Sequence, residues 1–208
     1  MTKRHSHRSG FTLVELSIVL VVIGLIIGGV LSGRQIMTNA QITNAVNAIQ
    51  AYEAQFQTYI QNYGVMPGDD ANAATRFSNA GIPSVTETAN GTLEGTFDSE
   101  TASDESRLLW ADLRAAGLVK GSGSDASQPS NPFGGIYGFQ HGAFTGETTF
   151  TTNVLCLSGV PGDAAMAIDS RLDDGTSNTG SVMVSEDALS AVTGAYDSAN
   201  TYVLCTKL

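Results

Sequence analysis

The sequence predicts an α+β protein: a long N-terminal α-helix, apolar in its first half and amphipathic in its second, packed against a C-terminal antiparallel β-sheet head. Three observations predict it. An apolar run, Phe11 to Leu31, stands at the front of a 208-residue chain whose remainder is rich in Gly, Ser, Thr, Asn and Asp. Apolar residues then recur every three or four positions as far as Tyr63, which is the period of one helix face. Beyond residue 130, short apolar runs alternate with turn residues, the pattern of strands.

The front of the chain carries the chemistry. Met1 to Gly10 (MTKRHSHRSG) is short and basic and has no apolar face, whereas the next 21 residues hold one ionisable group, Glu15. At ~1.5 Å per residue this run makes a helix of about 30 Å, the thickness of a bilayer's hydrocarbon core. Lys3, Arg4 and Arg8 before it and Arg34 after it favour a cytoplasmic N-terminus and an exported body. A secretory signal peptide has a shorter apolar core and a small-residue cleavage site; Val30-Leu31-Ser32 is a poor one. A plain anchor leaves Glu15 unexplained, because a carboxylate inside the bilayer costs at least ~2.5 kcal/mol and calls for a partner. Glu15 lies one helical turn after Phe11. A cut after Gly10 would put a cationic α-amino group on Phe11, at the depth of Glu15. The carboxylate then pairs with that amine in its own chain or in a neighbour packed in register. Pairing between chains makes Glu15 a device for assembly.

The helix is expected to continue past the membrane segment. Ile42, Ala45, Val46, Ile49, Tyr52, Phe56, Tyr59, Ile60 and Tyr63 form its apolar stripe, with Asn39, Gln41, Asn44, Asn47, Gln50, Gln57 and Gln61 opposite. Tyr63-Gly64 and Pro67-Gly68-Asp69 are stop and turn signals. Residues 11–63 as one rod would span ~80 Å, and the second half must present its stripe to the head. A short helix is expected over Asp69 to Phe77, an exposed loop over 84–103, and a second helix from about Asp104 to Ala116 with Trp110 as a core anchor. Residues 121–132 read as a linker or flexible loop. Strands are expected at Ile136–Gln140, Thr148–Leu157, Ala164–Ile168, Ser181–Val184 and Tyr202–Thr206, with a hairpin-type turn at Asp174-Gly175.

Composition narrows the function. The formal net charge is -10, and loss of the leader's three basic residues leaves 7 basic groups against 20 acidic ones. Nucleic acids are held chiefly by Lys and Arg on phosphate, so no nucleic-acid partner is expected. No nucleophile-elbow pattern marks a hydrolase. His141 is the one histidine outside the leader, which gives zinc little support, and no enzymatic role is expected. The two cysteines, Cys156 and Cys205, both lie in the exported part, where an even count suggests one disulfide. Free buried thiols are the alternative. Asp163, Asp169, Asp173 and Asp174 offer oxygen ligands of the kind Ca²⁺ prefers, although solvated turn acids are the ordinary explanation. Asp169, Asp173 and Asp174 are the weak calcium candidates, and no other cofactor is expected.

Gly10-Phe11-Thr12-Leu13-Val14-Glu15-Leu16-Ser17 resembles the processing and methylation motif of type IV pilins and type II secretion pseudopilins. The resemblance implies a prepilin peptidase that cuts between Gly10 and Phe11 and methylates the Phe11 amine. It implies that Glu15 contacts the N-terminus of an adjacent subunit. The partners implied are homologous pilin subunits, the peptidase, an inner-membrane assembly platform with its cytoplasmic ATPase, and the membrane itself. The domain layout is then a leader at 1–10, a transmembrane assembly helix at 11–35 and a globular head at 36–208. The subunit would sit in the bacterial inner membrane with its head in the periplasm before joining a pilus or periplasmic pseudopilus. A disulfide near the C-terminus is common in the family, and some pseudopilins order a loop with calcium. Many pilins have a helix-kinking proline where this chain has Ser32-Gly33. Gly24, Gly28, Gly29 and Gly33 supply either flexibility or close helix packing. Two other functions stay open: a pseudopilin that pushes secreted substrates outward, and a membrane-anchored binding module whose ligand sits on the loops between 84 and 132.

Overall fold

The computed structural model describes residues 10–78, 80–82, 89–144, 150–186 and 195–208. In chain order the elements are α1 (Leu13–Tyr63), α2 (Ala73–Arg76), α3 (Glu105–Ala115), β1 (Tyr137–Ala143), β2 (Phe150–Pro161), α4 (Gly162–Leu172), β3 (Val182–Ser185) and β4 (Thr201–Lys207). This is the α+β architecture expected. The chain divides into two compact units, one ending at Ala40 and one running Gln41–Leu208.

In the first unit α1 is helical through Gly24, Gly28, Gly29, Ser32 and Gly33. A Cβ added at any of the four glycines would meet nothing within 4 Å. The large apolar side chains from Phe11 to Met37 are exposed, and the most apolar 18-residue window has a mean hydropathy of 2.7. That stretch is long and apolar enough to cross a membrane.

The second unit is built on the amphipathic stripe. Ile42, Ala45, Ile49, Phe56 and Tyr59 of α1 are buried, at the three-to-four residue spacing that the sequence shows. They join Leu109, Trp110 and Leu113 of α3 and the inward residues of the sheet in one core. The sheet has the order β1-β2-β4-β3, and every pairing is antiparallel. Alternation along the strands sorts the side chains. Leu155, Leu157, Val182, Val184, Tyr202 and Leu204 face the helices. Val154, Cys156, Met183, Val203 and Cys205 face the other way, onto Phe97, Phe144 and Phe150. Trp110 is fully buried, with Tyr52 edge-on at 5.1 Å between ring centroids.

The structure corrects five local expectations. Residues 164–168 are helix α4, not a strand: Ala164, Ala165 and Ile168 are buried on one helical face, and Asp163 sits in the first turn. Alanine and methionine favour helix, and Pro161 at the N-cap suits a helix start. Within residues 69–77 only Ala73–Arg76 is helical; Asp69 turns to the amides of Asn90 and Gly91, and Asp70 accepts from Tyr59 of α1. Of the loop expected to be exposed, residues 84–88 lie outside those described, while Leu93 and Phe97 are buried at 1%. The 121–132 segment is anchored: the buried Arg114 guanidinium donates to the carbonyls of Lys120, Asp125 and Ser127. Asp174-Gly175 turns α4 into β3 instead of joining two strands. The other expected strands match β1 to β4 within a few residues, although 148 and 149 are not among the described residues.

Candidate functional site

The N-terminal site comprises four residues, Gly10, Phe11, Thr12 and Glu15. Gly10 and Phe11 precede the helix and are exposed, Phe11 by 90%. Among the described residues nothing lies within 4 Å of where a Gly10 Cβ would stand. Thr12 ends the non-helical segment. Its backbone N–H and its hydroxyl both donate to Glu15 Oε2 at 2.8 Å, and the Glu15 N–H donates back to Thr12 Oγ1 at 3.2 Å. This is a reciprocal capping box, which satisfies two of the donors that a helix start leaves orphaned. Reading Glu15 only as a buried charge in search of an amine overlooks Thr12. The signal was present as Thr12-Leu13-Val14-Glu15, the Ser/Thr-x-x-Glu pattern of a helix start. Phe11 is in peptide linkage, and among the described residues the Glu15 carboxylate is held by its own helix start.

Cys156 of β2 and Cys205 of β4 are direct cross-strand partners and form a disulfide. Both are fully buried, 49 residues apart in sequence. The bond ties the two central strands of the sheet on the face away from α1.

Asp169, Asp173 and Asp174 come together at the end of α4, each offering an oxygen within 4.8 Å of the others; Asp163 is not in that group. The chain's own donors hold all three. Tyr196 hydroxyl donates to Asp169 Oδ2 at 2.6 Å and Gly175 N–H to Oδ1 at 3.3 Å. Asp173 accepts from the amides of Ser181 and Val182. Asp174 accepts from Thr176 N–H at 2.8 Å and from Thr179 hydroxyl at 2.6 Å. Burial raises the Asp169 carboxyl above its ordinary range, while the Thr179 hydrogen bond holds Asp174 below. These donors stitch the α4–β3 turn together with side chains that a cation would have to win over.

Comparison with known proteins returns to the N-terminus. Residues 5–31 match the prokaryotic N-terminal methylation motif family. The type IV major pilin protein PilE1 of Neisseria gonorrhoeae is 30% identical over 122 residues, 54% of this chain and 56% of its own length. The type IV major pilin protein PilE of the same organism is 28% identical over 54% of this chain and 72% of its own. A fimbrial protein of Neisseria meningitidis serogroup A is 30% identical over 54% of this chain and 71% of its own. No solved structure matches significantly. An apolar helix headed by the methylation motif, an antiparallel sheet head and kinship to these proteins lead to one conclusion: the chain belongs to the type IV pilin family.

Proposed function

We propose that this chain is a structural subunit of a type IV pilus-like filament, processed by a prepilin peptidase between Gly10 and Phe11 and assembled through its N-terminal helix. The observation that carries the reading is the lone carboxylate of Glu15, one turn after the Gly10–Phe11 peptide and at the head of an apolar membrane-length helix. In the uncut chain Glu15 caps its own helix on Thr12. Cleavage creates a Phe11 ammonium, a stronger partner than a neutral N–H. Charges taken out of water are tolerated only when paired, so a helix packed in register with a neighbour is favoured over one that is not. Methylation of the Phe11 amine keeps its positive charge. The inner membrane, with the head in the periplasm, is the place of insertion. The assembly platform and further copies are the partners. The acidic body offers nucleic acid no basic surface, and the role is structural, not enzymatic.

The Glu15→Val variant tests this directly. Insertion and leader removal should proceed as in the native chain while incorporation into filaments is lost. A variant that still assembles at native levels means the helix is a mere anchor and leaves a membrane-tethered binding module as the reading. The mass of the mature N-terminus is the second measurement: methylated Phe11 is expected, and a chain still beginning at Met1 overturns the proposal.

A further inference from the structure

Asp112 lies on the inner face of α3, 1% exposed. Its Oδ2 accepts the Gly68 N–H at 2.7 Å, while its Oδ1 is buried with no hydrogen-bond partner among the described residues. Gly68 belongs to the segment 64–72 that leaves the end of α1. Its φ is +88°, and the space a Cβ would need is taken by the Glu105 carbonyl oxygen, with Leu109 Cβ at 3.1 Å. The segment therefore lies directly against α3. Other charged groups face this contact. Asp70, also 1% exposed, accepts from Tyr59 hydroxyl of α1 at 2.8 Å, from Asn72 N–H at 2.9 Å and from Arg76 of α2. Asp69 is spent on the amides of Asn90 and Gly91, and Glu105 accepts the Glu94 amide at 3.1 Å. Arg76 is thus the cation of this group, and its ion pair is with Asp70. A charge on Asp112 would have one oxygen without a donor and a carboxylate neighbour. Burial pushes its carboxyl up to about 7, the Gly68 amide opposes that, and the Asp70 charge adds to it.

We propose that Asp112 is a proton-dependent clamp: its neutral form holds the 64–72 segment onto α3, and loss of its proton opens that contact to water. The sign follows from linkage. Between about pH 4 and about pH 7 the folded protein binds more protons at this site than the unfolded one, so stability falls as pH rises and levels off above the folded value. The segment joins α1 to the rest of the head, so the clamp sets how firmly the Tyr59 end of α1 is held. A subunit in acid is closed, and one in mild alkali is looser there.

The test is amide exchange of residues 64–72 in the full chain in detergent, from about pH 5 to about pH 8, corrected for intrinsic rates. Protection in the native protein should fall by up to about tenfold per pH unit below about pH 7 and level off above it. Asp112→Asn keeps an acceptor for Gly68 and cannot ionise, so its protection should not vary with pH. Asp70→Asn removes the neighbouring charge and frees Arg76, so the fall should move to lower pH. A flat native profile, or a fall that survives in Asp112→Asn, overturns the clamp. If Asp112→Asn does not fold, the ¹³C carboxyl titration of Asp112 in the native chain decides. A midpoint near 7 that coincides with the levelling of the native exchange profile upholds the clamp, and one in the ordinary range of about 4 overturns it.

Discussion

Cys156 and Cys205 stand opposite one another in the register of the two central strands, with Cα atoms 4.0 Å apart. The pairing closes a loop that contains α4 and β3, so the last strand cannot leave the sheet while the bond is intact. In the chain-entropy model a loop of this size is worth about 4 kcal/mol. Replacing both cysteines with serine, or adding reductant under mild denaturation, should lower stability by about 2–4 kcal/mol. Urea unfolding with and without reductant measures it. Coincident curves would show that the bond constrains nothing in the unfolded chain.

Thr12 separates capping from assembly. Thr12→Ala removes the hydroxyl from the box but leaves Glu15 in place. It should cost about 1 kcal/mol at the helix start, seen as faster amide exchange at Leu13 to Glu15 in detergent. Filament incorporation should persist, in contrast to Glu15→Val. Equal loss of assembly in both variants would mean that the cap itself, and not the carboxylate, is what assembly needs.

Arg114 is a buried cation bound to three backbone carbonyls. Arg114→Met leaves those acceptors without their donor, at a cost of about 3 kcal/mol. Limited proteolysis should then find new cleavage between residues 120 and 132. An unchanged digestion pattern would show that the loop stays down without the guanidinium.

Gly138 of β1 tests how tightly the 89–104 loop is applied to the sheet. A Cβ there would overlap the Phe97 carbonyl oxygen, whose residue also donates its amide to Gln140 at 2.8 Å. Gly138→Ala should destabilise by about 2 kcal/mol or more, since overpacking displaces backbone. Gly33→Ala, where nothing lies within 4 Å, should instead be neutral or favour helix by up to about 1 kcal/mol. Melting midpoints of the two variants give the comparison.

The acidic turn after α4 has a cation test. Because internal donors already hold Asp169, Asp173 and Asp174, millimolar Ca²⁺ and a chelator should give the same melting midpoint. A rise with Ca²⁺ would assign the three carboxylates to a structural ion.

Much of this was legible in the residues because it is local. The apolar run, the offset of Glu15 from Phe11 and the stripe from Ile42 to Tyr63 are set by helical rise and period, which need no partner to be read. The two cysteines shared a compartment and an even count, which suggested a bond. The α4 helix was hidden by its shortness: five mostly apolar residues look alike as strand or helix until the element they pack on is known. Asp69 stood in a turn signal and nothing local to Asp70 or Asp112 marks them as buried, yet the fold takes all three out of water. Phe97 and Leu93 sat in a polar loop, and only the folded head gave them somewhere to go, Leu93 in the core under the helices and Phe97 on the far face of the sheet. The sequence by itself determined the membrane-length apolar run, the carboxylate at its head and the layout of helix before sheet. Tertiary structure decided the strand register that pairs Cys156 with Cys205, and which carboxylates lose their water, because burial depends on contacts between residues far apart in the chain.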